Sequence, residues 1–311
     1  ALSVLSGQPL SDRYSEARAN IGLAKVLTDL SGISAAVLAN SSVDLPSKIS
    51  KINLQIEELL IKYPQVVWRS ELDQVREFLP VGEWLLGLDT KRTILLVVQN
   101  PAEIRPTGGF ISAIGYMVID KGKFLDLNFI DTYQLDANLT GEQTAPSPIQ
   151  KYLGENSLLI RDSNWNPHAP ETARVIQKLV ERASGRHTDG VIFINAQGLK
   201  YILEATGPIL TPLGDEISSA NILDRVAFNS NNEMSGILTG LRQHAAKPGN
   251  ALSVLLGFFR ALRHQELFIA ASDSRISRVL GVQSADGGLE VSSCPIQFAV
   301  NDRNREVNFT L

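Results

Sequence analysis

Thr93-Ile94-Leu95-Leu96-Val97-Val98 is a run of six β-branched and leucine residues, with Lys91-Arg92 before it and Gln99-Asn100-Pro101 after it. A short, continuous apolar run closed by turn formers reads as a strand buried on both faces, and such strands lie inside sheets covered by helices. Downstream, Gly109 to Asp120 and Phe124 to Ile130 are two further strand-like runs on either side of Lys121-Gly122-Lys123, the pattern of a hairpin. Gly190-Val191-Ile192-Phe193-Ile194-Asn195 is another buried strand. Helical signals lie between the strands: Ala173, Ile176, Leu179 and Val180 share one face of 169–183, and 197–205 is a short helix stopped by Gly207-Pro208. Helices alternating with apolar strands define an α/β class, a mixed sheet flanked by helices.

Upstream of the central run the first ninety residues read as helices. Apolar positions recur at threes and fours from Ser11 to Leu38, and again from Leu45 to Ile61 with Ile49, Ile52, Ile56, Leu59 and Leu60. Asp44-Leu45-Pro46 is a helix start and Lys62-Tyr63-Pro64 a stop. A third helix covers Ser70 to Phe78, and Pro80, Gly82, Gly87 and Asp89 place the boundary at about 80–91. The expected organisation is a helical amino-terminal subdomain, 1–90, and an α/β domain, 91–311. Residues 217–280 read as mostly helical, and 287–311 alternates like strands.

The chain has 311 residues, 44% of them hydrophobic and 20% charged, with a net charge of −4. This is an ordinary globular composition, with no basic footprint for nucleic acid. The single cysteine, Cys294, excludes an intramolecular disulfide, and no Cys/His cluster suggests zinc. No run of about 18 consecutive apolar residues occurs, which argues against a spanning segment within the chain. The start at Ala1-Leu2-Ser3 leaves room for an anchor ahead of it.

Three runs carry candidate chemistry. In Gln99 to Phe110, which leaves the end of the central strand, Arg105 can clamp phosphate oxygens, and Thr107, Gly108 and Gly109 can bring a hydroxyl and backbone amides close to an anion. The alternative is a turn requiring positive φ, with Arg105 in a structural ion pair. Ile130-Asp131-Thr132-Tyr133 ends the hairpin; Asp131 is a candidate base or metal ligand, or else a helix cap. Ile160 to His168 gathers Arg161, Asp162, Asn164, Trp165 and Asn166 in one loop, an aromatic beside amides that suits a sugar face or a lipid-phosphate head; the alternative is a loop pinned by a buried Trp165, with Asn164 and Asp162 satisfying backbone donors. There His168 reads as an exposed bystander. Arg242, His244, Lys247, Arg260, Arg263, His264, Arg275 and Arg278 form a basic set, most simply a solvated face. No Gly-x-Ser-x-Gly elbow is present, which argues against a serine hydrolase.

The run Asn100-Pro101-Ala102-Glu103-Ile104-Arg105-Pro106-Thr107-Gly108-Gly109-Phe110 resembles the hallmark of a bacterial cell-surface family known only as a domain of unknown function. Arg161-Asp162-Ser163-Asn164-Trp165-Asn166-Pro167 and Asp189-Gly190-Val191-Ile192, followed by Thr206-Gly207-Pro208, look like its second and third landmarks, so the resemblance spans about 91–215. It implies an extracytoplasmic protein tethered to the membrane through an amino-terminal anchor. The order of elements is more distantly similar to the LytR-CpsA-Psr family, which transfers glycopolymers from polyprenyl-pyrophosphate carriers to the cell wall with Mg²⁺. Here Asn100 stands in place of that family's first aspartate, Pro106-Thr107-Gly108-Gly109 replaces an acidic run, and Asp131 lacks the preceding arginine.

The resemblance therefore implies a LytR-CpsA-Psr-like fold and a polyprenyl-phosphate-linked or other phosphorylated envelope glycan as partner. In a phosphotransferase, Asp131 and Arg105 would be catalytic, and Arg105, Thr107, Gly108, Gly109 and Arg161 would hold phosphate. Asn100, Asn164 and Trp165 would contact substrate, and Asp131 and Asp162 would hold Mg²⁺. The alternative is a non-catalytic scaffold or glycan-binding module that has lost the metal site.

Overall fold

In the computed structural model, which describes residues 10–139, 143–228, 231–247 and 250–289, the run 93–98 is the middle strand of a five-stranded sheet. Three helices come first: α1 (Leu10–Leu38), α2 (Leu45–Lys62) and α3 (Arg69–Leu85). Then follow β1 (Arg92–Asn100), β2 (Phe110–Asp120), β3 (Lys123–Asp131), α4 (Thr132–Asp136), α5 (Ser147–Leu153), a 3-10 turn (Ile160–Asp162), α6 (Ala169–Ser184), β4 (Gly190–Asn195) and α7 (Ala196–Thr206). The remainder is β5 (Ile209–Leu210), β6 (Glu216–Ile217), α8 (Ile222–Phe228), α9 (Asn231–Ala245), α10 (Asn250–Arg263), β7 (Leu267–Ala271) and α11 (Ser274–Val282). The sheet order is β3-β2-β1-β4-β7; β1 and β4 are parallel and the other three pairings antiparallel. β5 and β6 form a separate two-stranded ribbon.

Alternation along β1 divides the core. Ile94, Leu96 and Val98 face a cluster built with α3, α7, α8, α9, α10 and α11. Leu95 and Val97 face the opposite cluster, with α6 and Leu135 of α4. This is a sheet with helices on both faces, so the strand reads as continuously apolar. Lys121 and Gly122 take φ of 50° and 77°, the two-residue turn that suits the twist of the β2–β3 hairpin.

Two boundaries differ from the sequence reading. Helix α3 runs through Pro80 and Gly82 to Leu85. Its Val81 and Trp84 bury against the sheet, and that packing offsets the hydrogen bond that proline cannot make. The break comes instead at Gly87, where φ is 60°. Within 217–280, expected to be mostly helical, Leu267–Ala271 is the edge strand β7; a five-residue apolar run following a helix carries no period of its own. Of the segment 287–311 expected to form strands, 290–311, with Cys294, lies outside the described residues, and 287–289 is not a strand.

The amino-terminal helices have their own cluster, with Val26, Ile33 and Val37 of α1 packed among Ile49, Ile52, Ile56, Leu59, Leu60 and Leu72. α1 contains one stretch, Tyr14–Leu38, long and apolar enough by length and composition to cross a membrane. Glu16, Arg18, Lys25 and Asp29 interrupt it, which is why no unbroken apolar run marks it in the sequence.

These helices are fastened to the sheet at a particular point. Asn40, at φ 52°, turns its side-chain amide onto β3: Nδ2 donates to the Phe124 carbonyl at 2.9 Å, and the Phe124 N–H donates to Oδ1 at 2.9 Å. One asparagine thus supplies the paired bonds that a neighbouring strand would make. Replacing Asn40 with Ala leaves both Phe124 groups without this partner and puts a Cβ residue without a polar side chain at positive φ. The expected cost is about 2–4 kcal/mol in urea denaturation, with faster amide exchange at Phe124.

A second prediction concerns α11. Asp273 caps it, accepting from Arg275 N–H at 2.8 Å and Ile276 N–H at 3.3 Å, and the Arg275 guanidinium lies 3.1 Å away. The Arg275 side chain first, then these backbone bonds, hold the Asp273 carboxyl at about 2, below its ordinary 3.8. A lowered folded-state value means the stabilisation is complete above the unfolded value and is lost as pH falls through the folded one. Asp273→Ala is expected to cost about 1 kcal/mol at neutral pH. In thermal denaturation the gap to the wild type should close between about pH 4 and about pH 2.

Candidate functional site

β1 and β4, the parallel pair, end side by side, with Gln99 in register with Asn195. Both amides are buried there, and buried amides require partners. Gln99 Nε2 donates to Thr107 Oγ1 at 2.7 Å, and Asn195 Nδ2 donates to Glu266 Oε2 at 2.5 Å while its Oδ1 caps α7 by accepting from Gly198 N–H at 2.9 Å. The turn after β1 settles on this pair. Asn100 Oδ1 accepts from Ala102 N–H at 3.0 Å, and Asn100 is itself buried. Gly108 (φ 123°) and Gly109 (φ 135°) complete the turn, and any Cβ on Gly109 would overlap the Asn100 carbonyl. The fully buried Asn164 then locks the turn from the opposite loop, donating to Thr107 Oγ1 at 3.1 Å and to the Gly109 carbonyl at 2.7 Å.

Beside this polar brace lies a charged one. Arg105 Nη2 is 3.1 Å from Asp162 Oδ1, and Arg161 Nε is 3.6 Å from Asp162 Oδ2. Arg161 also gives Nη1 to Asp136 Oδ2 at 2.9 Å and Nη2 to Glu155 Oε1 at 2.6 Å. The Asp162 and Asp136 side chains are only 5% and 4% exposed. Burial pushes the Asp136 carboxyl above its ordinary value against the pull of the Ile160 N–H and Arg161. The same burial opposes the charge on Arg161, but its bonds to Asp136 and Glu155 outweigh that and hold its value up. Aromatic rings back both guanidinia, Phe110 at 5.6 Å from Arg105 and Tyr133 at 5.0 Å from Arg161, with the two rings 6.5 Å apart.

The structure thus brings Arg105, Arg161 and Asp162 together, but as ion pairs rather than open phosphate donors. Of the glycine pair, the Gly108 amide is used internally, donating to the Arg105 carbonyl at 3.1 Å, and the Phe110 N–H closes the loop on the Glu103 carbonyl at 2.9 Å. Thr107 and Asn164, read as phosphate and substrate ligands, are buried members of the brace, and Asn100 shapes the turn. Asp131 is the N-cap of α4, accepting from Tyr133 N–H at 2.8 Å. Trp165, 39% exposed, reaches solvent together with Asn166. His168 is no bystander: its Nδ1 accepts from Leu289 N–H at 3.0 Å.

The two carboxylates read as Mg²⁺ ligands, Asp131 and Asp162, are both engaged within the chain. Both Asp162 oxygens face guanidinium groups, and the Asp131 carboxylate is used as a helix cap, so neither carboxylate proposed for the ion is held open toward one. The basic set disperses in the same way. Arg260 pairs with Glu204 at 2.9 Å and covers Tyr201, His264 stacks on that ring at 4.8 Å, and His244 Nε2 lies 3.2 Å from the Thr206 carbonyl. Asp136, Glu155, Gln99 and Asn195 carry the site without having been singled out in the sequence. For Asp136 a signal existed, since Asp131-Thr132 is a helix start followed by Leu135.

The fold and site define an α/β domain whose strand-end loops are cross-braced by buried amides and ion pairs. A protein family of unknown function, DUF4012, matches residues 89–228, a span that contains β1, the Asn100–Phe110 turn, the Arg161–Pro167 loop and β4. No curated protein matches the chain. Among solved structures, the chain is similar to the Lin1025 protein of Listeria innocua, 12% identical over 70% of this chain and 90% of that one, with a TM-score of 0.36. It is also similar to TagV of Bacillus subtilis, 11% identical over 70% and 89% with a TM-score of 0.37, and to the transcriptional regulator yvhJ of Bacillus subtilis, 10% identical over 62% and 95% with a TM-score of 0.33.

Arg161 is the residue on which three carboxylates depend. Arg161→Met keeps much of its length but leaves the buried Asp136 without its cation and removes one partner each from Asp162 and Glu155, and is expected to cost about 3–5 kcal/mol in urea denaturation. Arg161→Lys should recover only part of this, because an ammonium cannot fork between separate carboxylates.

Proposed function

We propose that this chain is a non-catalytic glycan-binding module of the bacterial cell envelope, with its binding face on the loops at the carboxyl ends of β1, β3 and β4. The observation that carries the reading is that Asp162 and Arg161 are already committed to each other and to Arg105, Asp136 and Glu155, while aromatic side chains nearby are open to solvent. Tyr133 is 60% exposed and Tyr152, three residues before Glu155, is 74% exposed. Trp165 follows directly on Asn164, whose bond to the Gly109 carbonyl sets it beside the Phe110 turn. The C–H faces of a sugar ring stack well on such rings, whose π faces are negative, and the polar atoms around them can orient the hydroxyls. The envelope location is supported by the motif resemblance at 100–110, 161–167 and 189–192. The commitment of Asp162 to Arg105 and Arg161 supports binding over metal-assisted phosphotransfer.

Calorimetric titration with the tetrasaccharide of N-acetylglucosamine tests this. Saturable binding is expected, weakened at least about tenfold in Trp165→Ala with the circular dichroism spectrum unchanged. Equal binding in the variant, or phosphate release from a polyprenyl pyrophosphate in the presence of Mg²⁺, would overturn the proposal.

A further inference from the structure

We infer that Asp162 is a built-in anion that fills the Arg105–Arg161 pair and keeps phosphate out of it. The inference adds a selectivity device to the glycan-binding site and rests on that reading only for what the site is used for. The two guanidinia arrive from different parts of the chain, Arg105 from the turn after β1 and Arg161 from the 3-10 turn before α6. Each meets a different oxygen of the same carboxylate, at 3.1 and 3.6 Å. Two cations brought this close repel unless an anion lies between them, and Asp162, 5% exposed, is that anion.

A carboxylate that gives one oxygen to each of two guanidinia stands where two oxygens of a phosphate could stand. The pair is therefore a phosphate-type site with its anion covalently attached. Attachment gives Asp162 an effective concentration in about the millimolar range or above, which free phosphate at ordinary concentrations does not match. The surrounding charge acts in the same direction. Asp136 and Glu155 bond to Arg161, so a phosphate entering beside Asp162 would meet three carboxylates for two guanidinia. Arg105 is the less committed cation: apart from Asp162, the bond it makes is to its neighbour, the Ile104 carbonyl, at 3.0 Å.

The test is calorimetric titration of inorganic pyrophosphate, without metal, into the wild type, Asp162→Asn and the double variant Asp162→Asn/Arg105→Gln. Asparagine keeps the size of the side chain and removes its charge. Saturable binding at least about tenfold tighter in Asp162→Asn than in the wild type, and lost in the double variant, is the expected result. Equal binding in the wild type and Asp162→Asn, or no binding in either, would overturn the inference. If Asp162→Asn does not fold in plain buffer, refolding restored by phosphate but not by chloride at equal ionic strength supports the inference, and no restoration overturns it. The tetrasaccharide titration is a separate readout: its failure removes the glycan reading, whereas the pyrophosphate result stands or falls alone.

Discussion

Gln99 and Asn195, side by side at the carboxyl ends of two parallel strands, impose the constraint on which the rest of the site depends. Two buried amides next to each other must each find donors and acceptors, and the chain meets that demand with specific loops. Thr107 comes down onto Gln99, which forces the Gly108-Gly109 turn into positive φ, and Asn164 crosses from the opposite loop to hold the same hydroxyl. On the other side Asn195 links α7 to Glu266 at the entrance to β7. The strand ends, the α7 cap and the edge strand are therefore one connected polar structure. Gly108 fits between the Gln99 and Asn195 side chains, and its amide is spent on the Arg105 carbonyl.

The ion pairs extend the same logic to charge. Arg161 stands at the centre of three carboxylates, and a largely covered guanidinium with that many partners is a structural element first. Removing either arginine leaves buried carboxylate charge short of a partner, so the network ties the 160–168 loop to α4 and the β1 turn. The loop's solvent-facing residues inherit that rigidity. Trp165 is presented on a backbone fixed at Asn164, at Ser163, whose hydroxyl donates to the Ile160 carbonyl at 2.7 Å, and at Thr172, whose hydroxyl donates to the Asn166 carbonyl at 2.8 Å. A rigid exposed aromatic loses little conformational entropy on stacking against a ligand.

The helices ahead of the sheet join it by two devices of different kind. α3 contributes Leu72 to the helical cluster and Val81 and Trp84 to the sheet cluster, so a single rigid rod is shared between two cores. Asn40 covers the start of the edge strand β3 with a side chain acting as backbone. Edge strands with open N–H and C=O groups invite association with other chains, and this contact closes the edge at Phe124. The turn of the hairpin is tied down as well, with the Gly122 N–H donating to the Leu86 carbonyl at 2.7 Å.

What could be read from the amino acids alone was whatever follows from local periodicity. The apolar run 93–98, the hairpin at Lys121-Gly122 and the helices over 11–38, 45–61 and 169–183 all carry their period within one segment, and each is present in the structure. β7 was hidden because five apolar residues after a helix have no period to read, and α3 continued past Pro80 because burial of Val81 and Trp84 on a distant sheet outweighed a local breaker. The residue types of the site were legible too: Arg105, Arg161, Asp162 and the glycine pair stood out. Their partners did not, since Arg105 and Asp162 lie 57 positions apart and Arg161 and Asp136 lie 25 apart. Whether a guanidinium faces a ligand or a carboxylate of its own chain depends on which loops the sheet sets side by side. Only the tertiary structure decides that, because electrostatic pairing acts through space and leaves no periodic trace along the sequence.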